Sequence, residues 1–136
     1  MRILVCGSRS LSDKSPEISR YLDQFYKENN IKILITGMAQ GADIIAYFWA
    51  IDNRIELLQF PADWENLEEQ GAVVVTRKDG TQYNRNAGLE RNRRMLVQGK
   101  PDCVLAFLDK RSRSNGTRHM IRIAREQGVS VEEIIL

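Results

Sequence analysis

Short apolar runs recur along this chain of 136 residues, with helix-like patterns between them. Three of the runs, at residues 2–6, 31–36 and 102–108, are almost uninterrupted by polar residues. Continuous runs of this length are typical of strands that are covered on both faces, as in a parallel sheet. Two further runs, at 54–60 and 129–135, bring the predicted strands to five.

Helical patterns fill the segments between these strands. The first helix is predicted to begin at a cap formed by Ser12 or Asp13, with Pro16 in its first turn. The other predicted helices cover residues 42–51, 87–98 and 115–127, the last opening at Ser114 or Asn115. Regular alternation of strand and helix predicts right-handed βαβ units. The fold class is therefore α/β, with a five-stranded, mainly parallel sheet and helices on both faces.

Residues 62–86 are the one irregular stretch in a chain otherwise predicted to form a single domain over 1–136. Asp79-Gly80 favours a turn there, in a hairpin or an extended excursion. A loop of this length is usually a lid or a binding loop, or is partly disordered.

Composition supports a packed core, because 43% of the residues are hydrophobic and 28% are charged. The formal net charge is only +2, but residues 85–118 hold nine basic side chains against three acidic ones. Within this basic segment Arg93 and Arg94 are expected to be solvated. Arg111 and Arg113 are expected either to contact phosphate or to lie in solvent.

Metal and membrane functions are not predicted. One histidine and two well-separated cysteines are too few for a metal site or a disulfide scaffold. Since no apolar run approaches the roughly 20 residues of a membrane span, or the length of a signal peptide, we expect a cytoplasmic protein with no membrane partner.

Glycine-containing loops follow three of the predicted strands. Their residues of interest are Gly7, Ser8 and Arg9 in the first loop, Gly37, Met38, Gly41 and Asp43 in the second, and Asn115, Gly116 and Thr117 in the last. The carboxyl ends of parallel strands share one edge of the sheet, and backbone amides at helix starts bind anions. A single glycine after a strand is often only a turn. Together, the three loops predict a shared ligand that carries phosphate.

Four further residues are candidates for the same site. Arg91 and Asn92, close to the start of the third helix, are expected to face the ligand crevice. Asp63 and Trp64 follow the third strand, where Trp64 either stacks on a base or packs beneath the long loop. Asp43 and Asp63 are the best-placed acids for catalysis, with Asp109 a weaker third candidate at the end of its strand.

Five short blocks, in order along the chain, resemble the YspA-like, YpsA-related branch of the SLOG superfamily. The blocks are Gly7-Ser8-Arg9, residues 36–43, residues 60–64, Ala87-Gly88 with Arg91-Asn92 and Met95, and Asn115-Gly116-Thr117. The resemblance implies a Rossmann-like fold that binds nucleotides or nucleotide-derived ligands, ADP-ribose derivatives among them. It also implies pairing of copies into a homo-oligomer.

The chain departs from that superfamily at two positions. Met38 stands where the second loop usually carries a second glycine. Met120 stands where the Lonely-guy phosphoribohydrolases carry a glutamate, three residues after the threonine of the last loop. The activity of those enzymes is therefore not carried over to this chain.

Three functions follow from these observations. The leading hypothesis is binding of a nucleotide or nucleotide-derived ligand by a sensor, carrier or sequestering module, with no cofactor. The alternative is hydrolysis of an N-glycosidic or phosphoester bond in such a ligand, with Asp43 or Asp63 as the acid or base. The third is single-stranded nucleic-acid binding through residues 85–118, a segment with Phe107 as its only aromatic residue.

Overall fold

A five-stranded parallel sheet forms the centre of the computed structural model, which describes residues 1–136. Along the chain the elements are β1 (Arg2–Gly7), α1 (Ser15–Glu28), β2 (Ile33–Thr36), α2 (Ala42–Asp52), β3 (Glu56–Gln59), β4 (Val74–Thr76), β5 (Gln82–Asn84), α3 (Ala87–Gly99), β6 (Cys103–Leu108), α4 (Asn115–Glu126) and β7 (Ser130–Ile135). The strand order is β3-β2-β1-β6-β7, and every neighbouring pair is parallel. The predicted α/β, Rossmann-like class is confirmed.

Helices cover both faces of this sheet, as the continuous apolar runs predict. Side chains alternate along a strand, so Val5 and Phe107 pack with α1 and α2 on one face. Leu4 and Val104, which are in register with each other, pack with α3 and α4 on the other face. All four side chains are fully buried. A strand that is covered on both faces needs apolar side chains at successive positions, because successive side chains point to opposite faces.

The first helix begins later than predicted. Residues Arg9–Lys14 form a 3-10 helix, and α1 starts only at Ser15. Neither Ser12 nor Asp13 caps it, because the residue preceding α1 is Lys14, which makes no side-chain capping hydrogen bond. The first loop therefore turns tightly before the helix starts and stays close to the end of β1.

The connections leave a crevice between β1 and β6. From β1 the chain moves outward through β2 to β3, then returns to place β6 on the other side of β1. Crossovers that diverge in this way leave space beyond the carboxyl ends of the two strands. Gly7 is in register with Phe107, and the amide of Ser8 donates to the Phe107 carbonyl oxygen at 3.0 Å. The first loop and the end of β6 thus meet at the crevice.

A small antiparallel hairpin, β4 with β5, lies within the irregular stretch. Its turn falls at the predicted Asp79-Gly80, where Gly80 has φ +89° and Thr81 N donates to Asp79 Oδ1 at 3.0 Å. Asn84 ties the hairpin to the preceding loop, since its Nδ2 donates to Glu69 Oε2 at 3.0 Å.

Helix α2 has an apolar outer face. Phe48 and Ile51, one turn apart, are 57% and 46% exposed. Nothing in the structure shows what covers this face, and the pairing of copies stays a prediction. None of the four helices combines the length and apolar character needed to cross a lipid bilayer.

Candidate functional site

A cavity of about 490 Å³ opens at the carboxyl ends of β1 and β6. Its size falls within the roughly 300–1,000 Å³ of small-molecule sites. Most of the predicted site residues line it, namely Gly7, Ser8, Arg9, Asp43, Trp64, Arg91, Asn92, Asn115, Gly116 and Thr117. The three predicted loops therefore converge near one space, together with the start of α3.

The other four predicted residues lie elsewhere. Gly37 and Met38 line an adjoining cavity of about 300 Å³. Gly41 lines neither cavity; it precedes α2 with φ +89°, and a Cβ there would lie 2.4 Å from the carbonyl oxygen of Ser8. Asp63 is exposed and lines neither cavity, so the structure separates it from the other candidate acid.

Arg91 is the central cation of this region. Only 8% of the residue is exposed, and it lines both cavities. Its Nη1 donates to the Gly37 carbonyl oxygen at 2.6 Å and its Nε to Asn92 Oδ1 at 3.1 Å. It forms no ion pair with any carboxylate. Burial lowers the pKa of this guanidinium, and the charge of Asp43 opposes that change. A buried cation with donors to spare is suited to an anionic ligand.

Asn92 organises the site from within the protein. Its Nδ2 donates to the Gly116 carbonyl oxygen and to His119 Nδ1, both at 3.1 Å, while its Oδ1 accepts from Arg91. These bonds use both amide protons, so Asn92 positions Arg91 and the start of α4. The network assigns the His119 proton to Nε2, which is buried and has no partner. The sequence does not predict this role of His119, because its spacing from Asn92 carries no local signal.

The start of α4 presents free backbone donors to the cavity. The amides of Asn115, Gly116 and Thr117 donate no hydrogen bond within the protein, and the first turn carries no acid. A Cβ on Gly116 would meet no atom within 4 Å. Ser114, which precedes the helix in a left-handed conformation with φ 53°, contacts the Ser8 hydroxyl. An open helix start with unpaired amides is an anion-binding geometry.

The loop before α2 is held by hydrogen bonds to side chains of the protein. Asp43 Oδ2 accepts from Ala39 N at 3.2 Å, and Thr36 Oγ1 accepts from Met38 N at 3.2 Å. Burial raises the pKa of Asp43 to about 6, and the neighbouring Arg91 guanidinium works against that rise. Met38 has φ 58°, so it adopts the left-handed conformation that glycine would take more easily. Two amides of the second loop are therefore committed to protein acceptors, and the first turn of α2 already holds a carboxylate.

Arg9 and Trp64 form the boundary between the two cavities. The Arg9 guanidinium lies 5.3 Å from the Trp64 ring centroid, within the range of a cation–π interaction. On another side, a Cβ on Gly88 would lie 3.1 Å from Trp64 Cη2. Both Arg9 and Trp64 line both cavities. Glycine at position 88 therefore lets the indole approach the start of α3.

The predicted basic segment divides in the structure. Arg113 lines the large cavity, whereas Arg111 forms ion pairs with Asp109 and Asp13. Arg93 is solvated as predicted, with 51% of its side chain exposed, and pairs with Glu90. Arg94 is less exposed, at 34%, and its Nη1 lies 2.6 Å from Glu69 Oε1. The loop containing Glu69 covers Arg94, which the local sequence could not show.

Asp109, a weaker candidate acid at the end of β6, has a structural role. It is buried, and its carboxylate accepts from Ser10 Oγ at 2.6 Å and from Arg111 Nε at 2.9 Å. The Arg111 hydrogen bonds, followed by that of Ser10, hold the pKa of Asp109 well below its usual range. It thus fastens the first loop to the end of β6.

No three His, Cys, Asp or Glu side chains come together in the structure. Cys6 lines the large cavity and is a free, buried thiol. Burial raises its pKa far above the ordinary thiol value, which disfavours the nucleophilic thiolate. The charged side chains around this cavity are Arg9, Arg85, Arg91 and Arg113, with Asp43 as the only acid. The cavity is therefore electropositive.

Three comparisons relate this chain to known proteins. The sequence model of the YspA, cpYpsA-related SLOG family matches residues 1–67. The Gene 61 protein of Mycobacterium phage D29 is 31% identical over 133 residues, which cover 96% of this chain and 93% of that protein. The X-ray structure of DNA processing protein A from Streptococcus pneumoniae has a similar fold, with a TM-score of 0.66 at 18% identity over 97% of this chain. This chain spans 49% of the length of that structure.

Proposed function

As the chain belongs to the YspA, cpYpsA-related SLOG family, we propose that it binds a nucleotide or nucleotide-derived ligand, such as an ADP-ribose derivative. The ligand lies in the large cavity, and the protein acts as a sensor, carrier or sequestering module. The observation that carries this proposal is Arg91, a guanidinium that is 8% exposed, lines the cavity and has no carboxylate partner. Leaving a buried charge unpaired is costly, and an anionic ligand offsets that cost.

The phosphate binds between Arg91 and the start of α4. Asn92 connects the two, because it accepts from Arg91 Nε and donates to the Gly116 carbonyl oxygen. The free amides of residues 115–117 supply uncharged donors on the α4 side. Arg9 and Arg113, both exposed and lining the cavity, add positive charge at its mouth.

Calorimetric titration with AMP, ADP-ribose and NAD tests this function. We expect Arg91→Gln to weaken binding by about 10–100-fold, because a charge-assisted hydrogen bond is worth roughly 1.5–3 kcal/mol. Arg91→Lys, which keeps the charge but not the forked geometry, should fall between Arg91→Gln and the wild type. Arg93→Gln is the matched control, since Arg93 points away from the cavity on the same helix.

Circular dichroism should show that all three variants are folded. The proposal fails if no nucleotide binds to the folded wild type. It also fails if Arg93→Gln weakens binding as much as Arg91→Gln, because the loss of affinity would then not depend on a residue that lines the cavity.

Hydrolysis of the bound ligand is the second candidate function. Asp43 favours it, being a cavity-lining carboxyl whose pKa burial raises to about 6, a value suited to proton transfer near neutral pH. Product analysis by chromatography with nucleoside monophosphates and ADP-ribose tests it. We expect Asp43→Asn to abolish turnover and the exposed Asp63→Asn to leave it unchanged. If the protein binds these ligands but forms no product, hydrolysis is rejected and the protein is a binding module.

Single-stranded nucleic-acid binding has less support. Phe107, the only aromatic residue in the basic segment, is fully buried in β6 and is not available to stack on a base. Binding of this kind should weaken steeply as salt is added. A small effect of salt on oligonucleotide binding would exclude it.

A further inference from the structure

The two cavities share a wall. Arg9, Ala39, Trp64 and Arg91 line both the large cavity and the small one, and together they form the border. The Arg9 guanidinium lies over the Trp64 ring, while Arg91 donates a hydrogen bond to the Gly37 carbonyl oxygen. A ligand that reaches this border from one side is next to the other cavity.

Charge differs sharply across the border. The only charged side chains around the small cavity are Arg9 and Arg91, and both belong to the border itself. Beyond the border its side chains are apolar or amide, contributed by Met38, Gln40, Pro61 and Ala62. The large cavity adds charged side chains and the free amides of α4. The small cavity is therefore suited to an uncharged group, and the large cavity to phosphate.

We propose that the two cavities form one bipartite site, in which the small cavity takes the base of the ligand. This inference rests on the nucleotide-binding function proposed above. The phosphate lies on the large-cavity side of the border, between Arg91 and the start of α4, and any group beyond the phosphate extends further into the large cavity. A base has apolar faces and a polar edge, which match Met38, Pro61 and Trp64 around the amide of Gln40.

The close approach at Gly37 supports this placement. A Cβ on Gly37 would lie 2.5 Å from Arg91 Nη1, so only glycine lets the guanidinium reach the backbone between the cavities. That contact commits Nη1 to Gly37, whereas Nη2 makes no hydrogen bond within the protein. The donors of Nη2 are thus free for a phosphate at the border.

A pair of probes separates the two cavities in titration. AMP and ribose 5-phosphate both carry a phosphate, but only AMP carries a base. Ala62→Leu adds bulk to the small cavity alone, since Ala62 does not line the large one. We expect this variant to weaken AMP at least tenfold and to leave ribose 5-phosphate within about twofold of the wild type. Gln40→Trp, at an exposed position on the small cavity, should act in the same direction if Ala62→Leu does not fold.

Gly116→Ala is the matched variant for the large cavity, because the added methyl group projects at the α4 start without meeting any protein atom. It should weaken both probes. If filling the small cavity leaves AMP binding unchanged while Arg91→Gln still reduces it, the base lies elsewhere; the bipartite site is then wrong and nucleotide binding stands. If the folded wild type binds none of AMP, ADP-ribose and ribose 5-phosphate, both proposals are wrong.

Discussion

The starts of α2 and α4 look alike in sequence and differ in what they offer a ligand. Each follows a strand of the parallel sheet through a loop with glycine. At α2 the carboxylate of Asp43 accepts from the amide of Ala39, and Thr36 accepts from Met38. At α4 the first turn has no acid, and its first three amides donate to no protein atom. The first turn of α2 already carries the buried carboxylate of Asp43, whereas the first turn of α4 carries no acid.

This difference shows that glycine content does not identify an anion site by itself. The glycines of the second loop serve protein contacts, since Gly37 admits Arg91 and Gly41 admits the backbone of Ser8. Gly116 has empty space around it. An acid in the first turn places a negative charge at the positive end of the helix dipole, where it opposes an anionic ligand. The presence or absence of that acid is the more informative feature.

Alanine at the two helix starts should give the largest contrast. Gly41→Ala places a side chain at φ +89° and 2.4 Å from the Ser8 carbonyl oxygen, so we expect a loss of about 2–5 kcal/mol in the free energy of unfolding. Gly116→Ala lies in helical backbone with open space and should leave stability unchanged or raise it by up to about 1 kcal/mol. Urea denaturation measures both. Equal losses would mean that the two glycines have the same role.

An acid introduced at α4 should make that helix start resemble α2. In Asn115→Asp we expect the protein without ligand to gain about 0.3–1 kcal/mol from the helix dipole. AMP affinity should fall about tenfold, since like charges near a surface repel by roughly 1–4 kcal/mol at 4 Å. The exposed Asn66→Asp makes the same charge change away from the cavity and should leave affinity unchanged. Equal effects of the two variants would place the anion away from α4.

The pH dependence of stability should report the buried carboxyl of Asp43. Its pKa is about 6 in the folded protein against an ordinary 3.8, so the folded state binds more protons between these values. Stability contributed by this group therefore falls as pH rises from 3.8 to 6, by at most about 1.4 kcal/mol per pH unit. Urea denaturation at several pH values should show this slope in the wild type and not in Asp43→Asn. An unchanged slope in the variant would show that another group titrates.

Most of the fold could be predicted because its signals are local. The apolar run at 102–108 corresponds to β6 (Cys103–Leu108), and the patterns at 42–51 and 87–98 correspond to α2 and α3 within one residue. A continuous apolar run indicates a strand that is covered on both faces, regardless of which elements cover it. The first helix was placed too early, because a 3-10 helix occupies the residues between β1 and α1.

The site was predicted less completely, because its geometry depends on distant partners. Arg91 acquires its role from Gly37, 54 residues earlier, and Asn92 from His119, 27 residues later. Asp63 carries the same chemistry as Asp43, yet the chain leaves it exposed outside both cavities. Residue type and position after a strand indicate which groups are near the crevice. They do not indicate which of those groups already form hydrogen bonds or ion pairs within the protein.

The pairing of β1 with β6 has a consequence for biosynthesis. Ile3 is in register with Cys103, and Ser8 meets Ser114, so the two sides of the crevice are about a hundred residues apart in the chain. Contacts of such long range form late, because loop-closure entropy opposes them until the intervening chain has collapsed. The crevice is therefore incomplete in a nascent chain until β6 and α4 have left the ribosome.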